Sequence, residues 1–192
     1  NTPLRRVIAE LGGKNALIID KDAELDQAIT SAIYSAFAHA GQKCSACSRV
    51  IVHSSILDNF TKRFVARANE IVVGFPENAS TYINPLISLE ETKKCHAKAT
   101  RMIEFSKKHN EIVCLNNVNQ NNENLIGPLI IQANQNSLLD LDHPIYQEMF
   151  APLIYIIPFD TEDEAITIFN NTSYGLTGGV FTQSDNTIER MI

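Results

Sequence analysis

The 192-residue chain has no tryptophan, only four cysteines and no excess of basic residues. Each scarcity removes a class of protein. Cysteines at 44, 47, 95 and 114 are too sparse for a disulfide scaffold, and they suit a reducing compartment, with a bacterial cytoplasm as the expected location. Sixteen Lys and Arg against 22 Asp and Glu give a net charge of −6, so the electrostatic footprint of a nucleic-acid partner is missing. No apolar run approaches the roughly 20 residues of a membrane span, and no signal-like segment opens the chain. No low-complexity linker divides it, so one domain is expected. Because it opens on Asn1 and a helical pattern still runs at Ile192, it reads as part of something longer.

What is present is an alternation of strand-like and helix-like stretches. "NALIID" (15–20), "SRVIVH" (48–53), "EIVCL" (111–115), "IGPLII" (126–131), "LIYIIPF" (153–159) and "GGVFT" (178–182) are short apolar runs. Between the first two, Leu25, Ala28, Ile29, Ala32, Ile33, Ala36 and Phe37 recur at helical spacing, with Gly41 as a stop. Ser55 and Asp58 offer a cap for a helix to about residue 71, and Ser88 with Glu91 makes a capping box for one to about residue 108. Thr161 with Glu164 makes a second box, and the Asn-rich "NNVNQNNEN" reads as an exposed loop. The expected fold is α/β: a layered, mostly parallel sheet flanked by helices.

Three stretches carry chemistry. "GQKCSACSRV" holds a Cys-x-x-Cys pair, Cys44 and Cys47. Half a zinc site needs a second closely spaced pair, and Cys95–His96 are adjacent residues that diverge on a helix. A thioredoxin-type pair belongs after a strand and before a helix, the reverse of the order here. Two cysteines packed as small hydrophobes is a serious reading, while the small polar loop after a helix, with Lys43 beside it, suits a presented thiolate. "ELGGKN" (10–15) supplies a carboxylate, Glu10, next to glycines that let backbone approach a ligand, although a solvated surface Glu is the commoner fate. In "YQEMFAPLIYIIPF" (146–159), Glu148 and Phe150 would face one way on an extended strand, as a sugar-gripping carboxylate beside a ring, or as a strand end with Phe150 in the core. His39, His53, His96 and His143 have no constellation around them and read as structural or surface residues; the Lys- and Arg-bearing helices read as solvated faces.

Together these stretches resemble the aldehyde dehydrogenase superfamily. "ELGGKN" is similar to its Glu-Leu-Gly-Gly-Lys signature, and "GQKCSACSRV" to its Gly-Gln-x-Cys signature, 34 residues on from Glu10 to Cys44. "EMFAP" resembles Glu-x-Phe-Gly-Pro, with Ala151 in place of Gly, and "NNTSYGLTGGVFT" resembles the Asn-x-x-x-Tyr-Gly-Leu stretch that follows. The resemblance implies that Cys44 is the nucleophile and that Glu10 is the base activating water against a thioester. It also implies that Glu148 holds the nicotinamide ribose and Phe150 packs at the nicotinamide end, with NAD as cofactor and no metal. In relatives the dinucleotide-binding domain precedes "ELGGK", and the choice between NAD and NADP is left to it. Relatives also continue past the stretch matching residue 192, with segments for oligomerisation. The chain is therefore expected to be the thiol-bearing catalytic domain alone (1–192), inactive by itself, its parent a homo-oligomer and its partner a small aldehyde.

"GQKCSACSR" and "YGLTGGVFT" look most like the branch that oxidises glutamate γ-semialdehyde, the open form of delta-1-pyrroline-5-carboxylate, in proline catabolism, either free-standing or as the C-terminal part of a bifunctional proline-utilisation protein. In that branch a Ser after the nucleophile helps bind substrate, and Ser45 occupies the place; a loop hydroxyl bonding its own backbone is the competing reading. The rivals are another aldehyde dehydrogenase, such as one acting on succinate semialdehyde, and a non-redox Cys-x-x-Cys metal or thiol module.

Overall fold

The apolar run "LIYIIPF" becomes β5 (Leu153–Phe159), a central strand of a six-stranded sheet in a computed structural model that describes residues 5–140 and 142–191. Its residues are buried almost without a break, the mark of a strand covered on both faces. Around it lie β1 (Asn15–Ile19), β2 (Cys47–His53), β3 (Ile112–Asn116), β4 (Leu129–Gln132) and β6 (Gly178–Phe181). The six strands run in the order β3-β4-β5-β2-β1-β6. All neighbouring pairs are parallel except β3 with β4, so the sheet is mixed, with one antiparallel edge.

Helices flank it. α1 (Leu25–Phe37) and α2 (Leu57–Asn69) pack on each other and on β2, where Phe37, Phe64 and Phe60 form a fully buried stack with centroids 6.1 and 5.5 Å apart. Burying one such ring contributes about 1.5–3 kcal/mol. α4 (Glu162–Asn170) packs across β1, β2 and β5, α3 (Leu89–His109) lies against β3, and α5 (Asp185–Met191) is the last element described.

Several boundaries differ from the sequence reading for local reasons. α1 ends four residues before Gly41, because His39, Ala40 and Gly41 all take positive φ and wind the chain into a short 3-10 turn. The proposed Ser55/Asp58 cap does not form: His53 Nδ1 accepts from the Ser55 amide, a 3-10 turn intervenes, and α2 starts with no side-chain cap. Ser88 and Thr161 do cap α3 and α4, accepting from the Glu91 and Glu164 amides. The carboxylates that would close each box go elsewhere, Glu91 to Lys94 and Glu164 to the Asp160 amide.

The topology has one consequence for function. The four motif stretches lead directly into β1, β2, β5 and β6, and these strands are consecutive neighbours running the same way. All four motifs therefore gather along one edge of the sheet, at the amino ends of its strands. Open α/β sheets more commonly bind ligands at the carboxyl ends.

Candidate active site

Cys44 lies on a turn closed by the Ala46 amide donating to the Lys43 carbonyl (3.0 Å), and its side chain is exposed. The turn is clamped by Asn15, the first residue of β1, whose Nδ2 donates to the carbonyls of Cys44 (2.6 Å) and Ala46 (3.0 Å). Asn15 Oδ1 in turn accepts from the Thr177 amide (3.0 Å), so one buried amide joins three of the four motifs. Gly13 completes the fit: a Cβ there would stand 2.2 Å from the Cys44 carbonyl oxygen, closer than any real contact. Gln42 Oε1 accepts from the Ile87 amide (3.0 Å), and the Lys43 ammonium sits over the Tyr34 ring at 5.2 Å. Ser45 is exposed on the same turn.

Cys47, three residues on, is a different thiol. It opens β2 inside the core, its Sγ 3.2 Å from the Arg49 carbonyl, and burial pushes it up to about 11. It is protonated at neutral pH. Cys95 is packed in the core from α3, and among the described residues no three His, Cys, Asp or Glu side chains gather into a metal-binding group.

Glu148 and Phe150 do not sit on an extended strand, as their spacing suggested. They occupy a turn before β5, with Phe150 at φ +52° and Met149 between them buried. Glu148 is half-buried, and its Oε1 accepts from the Gly13 amide (2.8 Å), while a Cβ on Gly12 would stand 2.6 Å from Oε2. Phe150 is 44% exposed rather than in the core. Ala151 is not among the positive-φ residues, so a Cβ is tolerated there. The close approach is met on the other side by Gly41, which lies against the Ala151 carbonyl. Glu10 is exposed, in the irregular segment leading to Gly12 and Gly13.

With this geometry in view, the whole chain, residues 1–192, matches the model of the aldehyde dehydrogenase family. The chain belongs to that family. It is 40% identical over 183 residues to a 1-pyrroline-5-carboxylate dehydrogenase of Staphylococcus haemolyticus, covering 95% of this chain and 34% of that protein. The match to PnpE from Pseudomonas sp. WBC-3, a structure also solved with nicotinamide adenine dinucleotide, has a TM-score of 0.83 at 30% identity, covering 95% of this chain and 37% of that one. Proline utilization A from Bdellovibrio bacteriovorus superimposes with a TM-score of 0.82 at 37% identity, over 94% of this chain and 18% of that one. The chain thus spans about a third of the length of the curated relatives it matches.

Behind this candidate site stand two buried basic side chains that sequence reasoning passed over. Arg49, on β2, donates to the Lys14 carbonyl from Nε and Nη2 (3.1 and 2.7 Å) and to the Ile168 and Phe169 carbonyls (2.9 and 3.0 Å). It ties "ELGGK" to the last turn of α4, where unpaired carbonyls favour a cation. Lys14 is 2% exposed and its Nζ has no hydrogen-bond partner among the described residues. Burial, with the Arg49 charge nearby, lowers it to about 7. Polar residues at the starts of apolar strands were the available signal for Lys14, Asn15 and Arg49.

Proposed function

We propose that these residues form the thiol-bearing part of a longer enzyme that oxidises glutamate γ-semialdehyde, the open form of 1-pyrroline-5-carboxylate, to glutamate with a nicotinamide dinucleotide. The observation that carries the reaction class is the contrast across three residues, Cys44 exposed on a clamped turn and Cys47 buried and protonated. It supports a single working thiolate over a redox pair or a metal site. The substrate rests on the names of the relatives, which are 34–40% identical over nearly the whole chain.

The Glu148–Phe150 turn fits the nicotinamide riboside end of a dinucleotide. Its carboxylate, steadied at one oxygen and cradled by Gly12, suits vicinal ribose hydroxyls, and the half-exposed Phe150 ring suits a flat heterocycle. When bound, the dinucleotide supplies the hydride acceptor. Cys44 Sγ forms a bond to the aldehyde carbon, and the electron pair of the C=O moves to oxygen, with the Cys44 backbone amide as one donor to that oxyanion. Return of the pair with loss of hydride leaves a thioester on Cys44. Glu10 then takes a proton from water as it attacks that carbonyl, and the C–S bond breaks to release the acid and restore the thiolate. Ser45, exposed on the same turn, is on this reading a substrate-binding residue. On this reading the dinucleotide-binding part lies outside residues 1–192, and tight saturable binding of NAD by the isolated chain would refute that part.

The test is NAD reduction by the full-length enzyme, wild type and Cys44→Ser, with glutamate γ-semialdehyde and with succinate semialdehyde. The expected result is a strong preference for the former and a loss of at least about a thousandfold in the variant. A variant that keeps its rate removes Cys44 from the mechanism. Cys44-dependent activity that prefers succinate semialdehyde overturns the substrate alone.

A further inference from the structure

We infer that Lys98 is a positioning residue for the dinucleotide: from α3 it holds the backbone of the Glu148–Phe150 turn and so fixes where Glu148 presents its carboxylate. The inference rests on the reading of Glu148 and Phe150 just given. Lys98 lies mid-helix on a chain segment that looks like an ordinary charged face, yet it is half-buried, and its Nζ donates to the Met149 carbonyl (2.9 Å) and reaches the Glu148 carbonyl (3.4 Å). One helical turn on, Arg101 donates to the Asp142 carbonyl (3.2 Å) and to Gln147 Oε1 (3.3 Å), so one face of α3 grips both ends of the segment. Lys94, four residues earlier, behaves as a solvated lysine should and pairs with Glu90 and Glu91 of its own helix.

The turn needs such an anchor. It precedes β5, so its carbonyls have no ladder to bond, and Phe150 takes a left-handed conformation that costs a non-glycine residue roughly 1–2 kcal/mol. Strained backbone of this kind persists only where its surroundings over-determine it. Three contacts do so here: the Gly13 amide on the Glu148 carboxylate, Gly41 against the Ala151 carbonyl, and the Lys98 ammonium on the two carbonyls between. Only the last is a charge-assisted bond to the turn's own backbone, and it reaches that backbone from outside the four motifs.

The experiment compares Lys98→Met, Lys98→Arg and Glu148→Gln in the full-length enzyme. Two readouts are used: equilibrium titration of NADH by its fluorescence, and hydrolysis of an activated ester, which needs Cys44 and a water but no dinucleotide. Lys98→Met is expected to weaken NADH binding about tenfold, the scale of one charge-assisted hydrogen bond, and to leave ester hydrolysis within about twofold. Lys98→Arg is expected to restore most of the binding. If Glu148→Gln weakens binding and Lys98→Met does not, Lys98 has no positioning role. If neither variant changes binding, the reading of Glu148 falls and takes this inference with it. Equal loss of NADH binding and ester hydrolysis in Lys98→Met marks a general structural role and overturns the inference as well.

Discussion

Glu111 and His143 are fully buried, and each of their polar side-chain atoms has a partner, whereas Cys44 stands in solvent with polar neighbours holding only its backbone. Glu111 Oε1 accepts from Ser137 (2.6 Å) and His143 Nε2 (2.8 Å), and Oε2 accepts from Ser106 (2.9 Å). His143 Nδ1 accepts from the Ile145 amide (3.0 Å), so Nε2 must be the protonated nitrogen. This network joins the start of β3 to the chain leading toward Glu148. Its groups are spent on each other and none is left to react. Around Cys44 the arrangement is inverted: Asn15 and Arg49 are buried and bonded so that a thiol and a carboxylate can remain open. Polar satisfaction fixes the shape in one cluster and, on the proposed reading of Cys44, supports reactivity in the other.

That contrast is broken most sharply at Glu111. Glu111→Ala leaves His143 Nε2 buried without its acceptor and empties a buried site, while the Ser106 and Ser137 hydroxyls keep the Met102 and Asn134 carbonyls; a loss of about 3 kcal/mol is expected in urea unfolding, with activity per folded molecule within about twofold. Activity that falls without loss of stability would place the network in the chemistry instead. Burial alone would push the Glu111 carboxyl up, but the hydrogen bonds from His143, Ser137 and Ser106 outweigh it and hold it below its ordinary value. A depressed carboxyl contributes stability that is present above its unfolded pKa and is lost as pH falls through the lowered one, so the variant's deficit should shrink below about pH 4.

Lys14 sharpens the comparison from the other side, as a buried group with no hydrogen-bond partner among the described residues. Its value near 7 lies far below the ordinary 10.5, so between those limits the unfolded chain binds the extra proton and the folded one does not. Stability must therefore rise with pH across that window. Going from pH 7 to pH 9, the wild type should gain about 2 kcal/mol over Lys14→Met in urea unfolding. Parallel curves for the two proteins would mean that Lys14 has a partner in solution.

The sequence pattern made the strands legible where burial is two-sided, as in "LIYIIPF", and made the helix caps at Ser88 and Thr161 legible because their chemistry is local. The stretches carrying Glu10, Cys44, Glu148 and Phe150 stood out together through the family resemblance, and the strand order brings those stretches to one edge. What stayed hidden depends on distant partners. His143 read as unremarkable because its carboxylate lies 32 residues away, and Lys98 read as solvated because the carbonyls it binds lie 50 and 51 residues away. The left-handed turn at His39–Gly41 was hidden differently, since "AFAHAG" continues the helical pattern up to the glycine.

Cys44 and Cys47 allow the smallest and most local test of the same contrast. With Cys47 held near 11 by burial, only roughly one molecule in a thousand carries its thiolate at pH 8, and the sulfur is enclosed even then. Cys95 and Cys114 are likewise raised by burial, which leaves Cys44 as the exposed thiol. Iodoacetamide at pH 8 should therefore modify Cys44 first in the folded protein, with Cys47 modified only after unfolding, as peptide mapping by mass spectrometry would read. Cys47→Ala removes one buried sulfur, costs about 1 kcal/mol, and leaves dehydrogenase activity within about twofold. If mild oxidation instead joins the two sulfurs, or if the alanine variant loses activity without losing stability, the second thiol shares the chemistry of the first and the division between holding groups and reacting groups fails where the two lie closest.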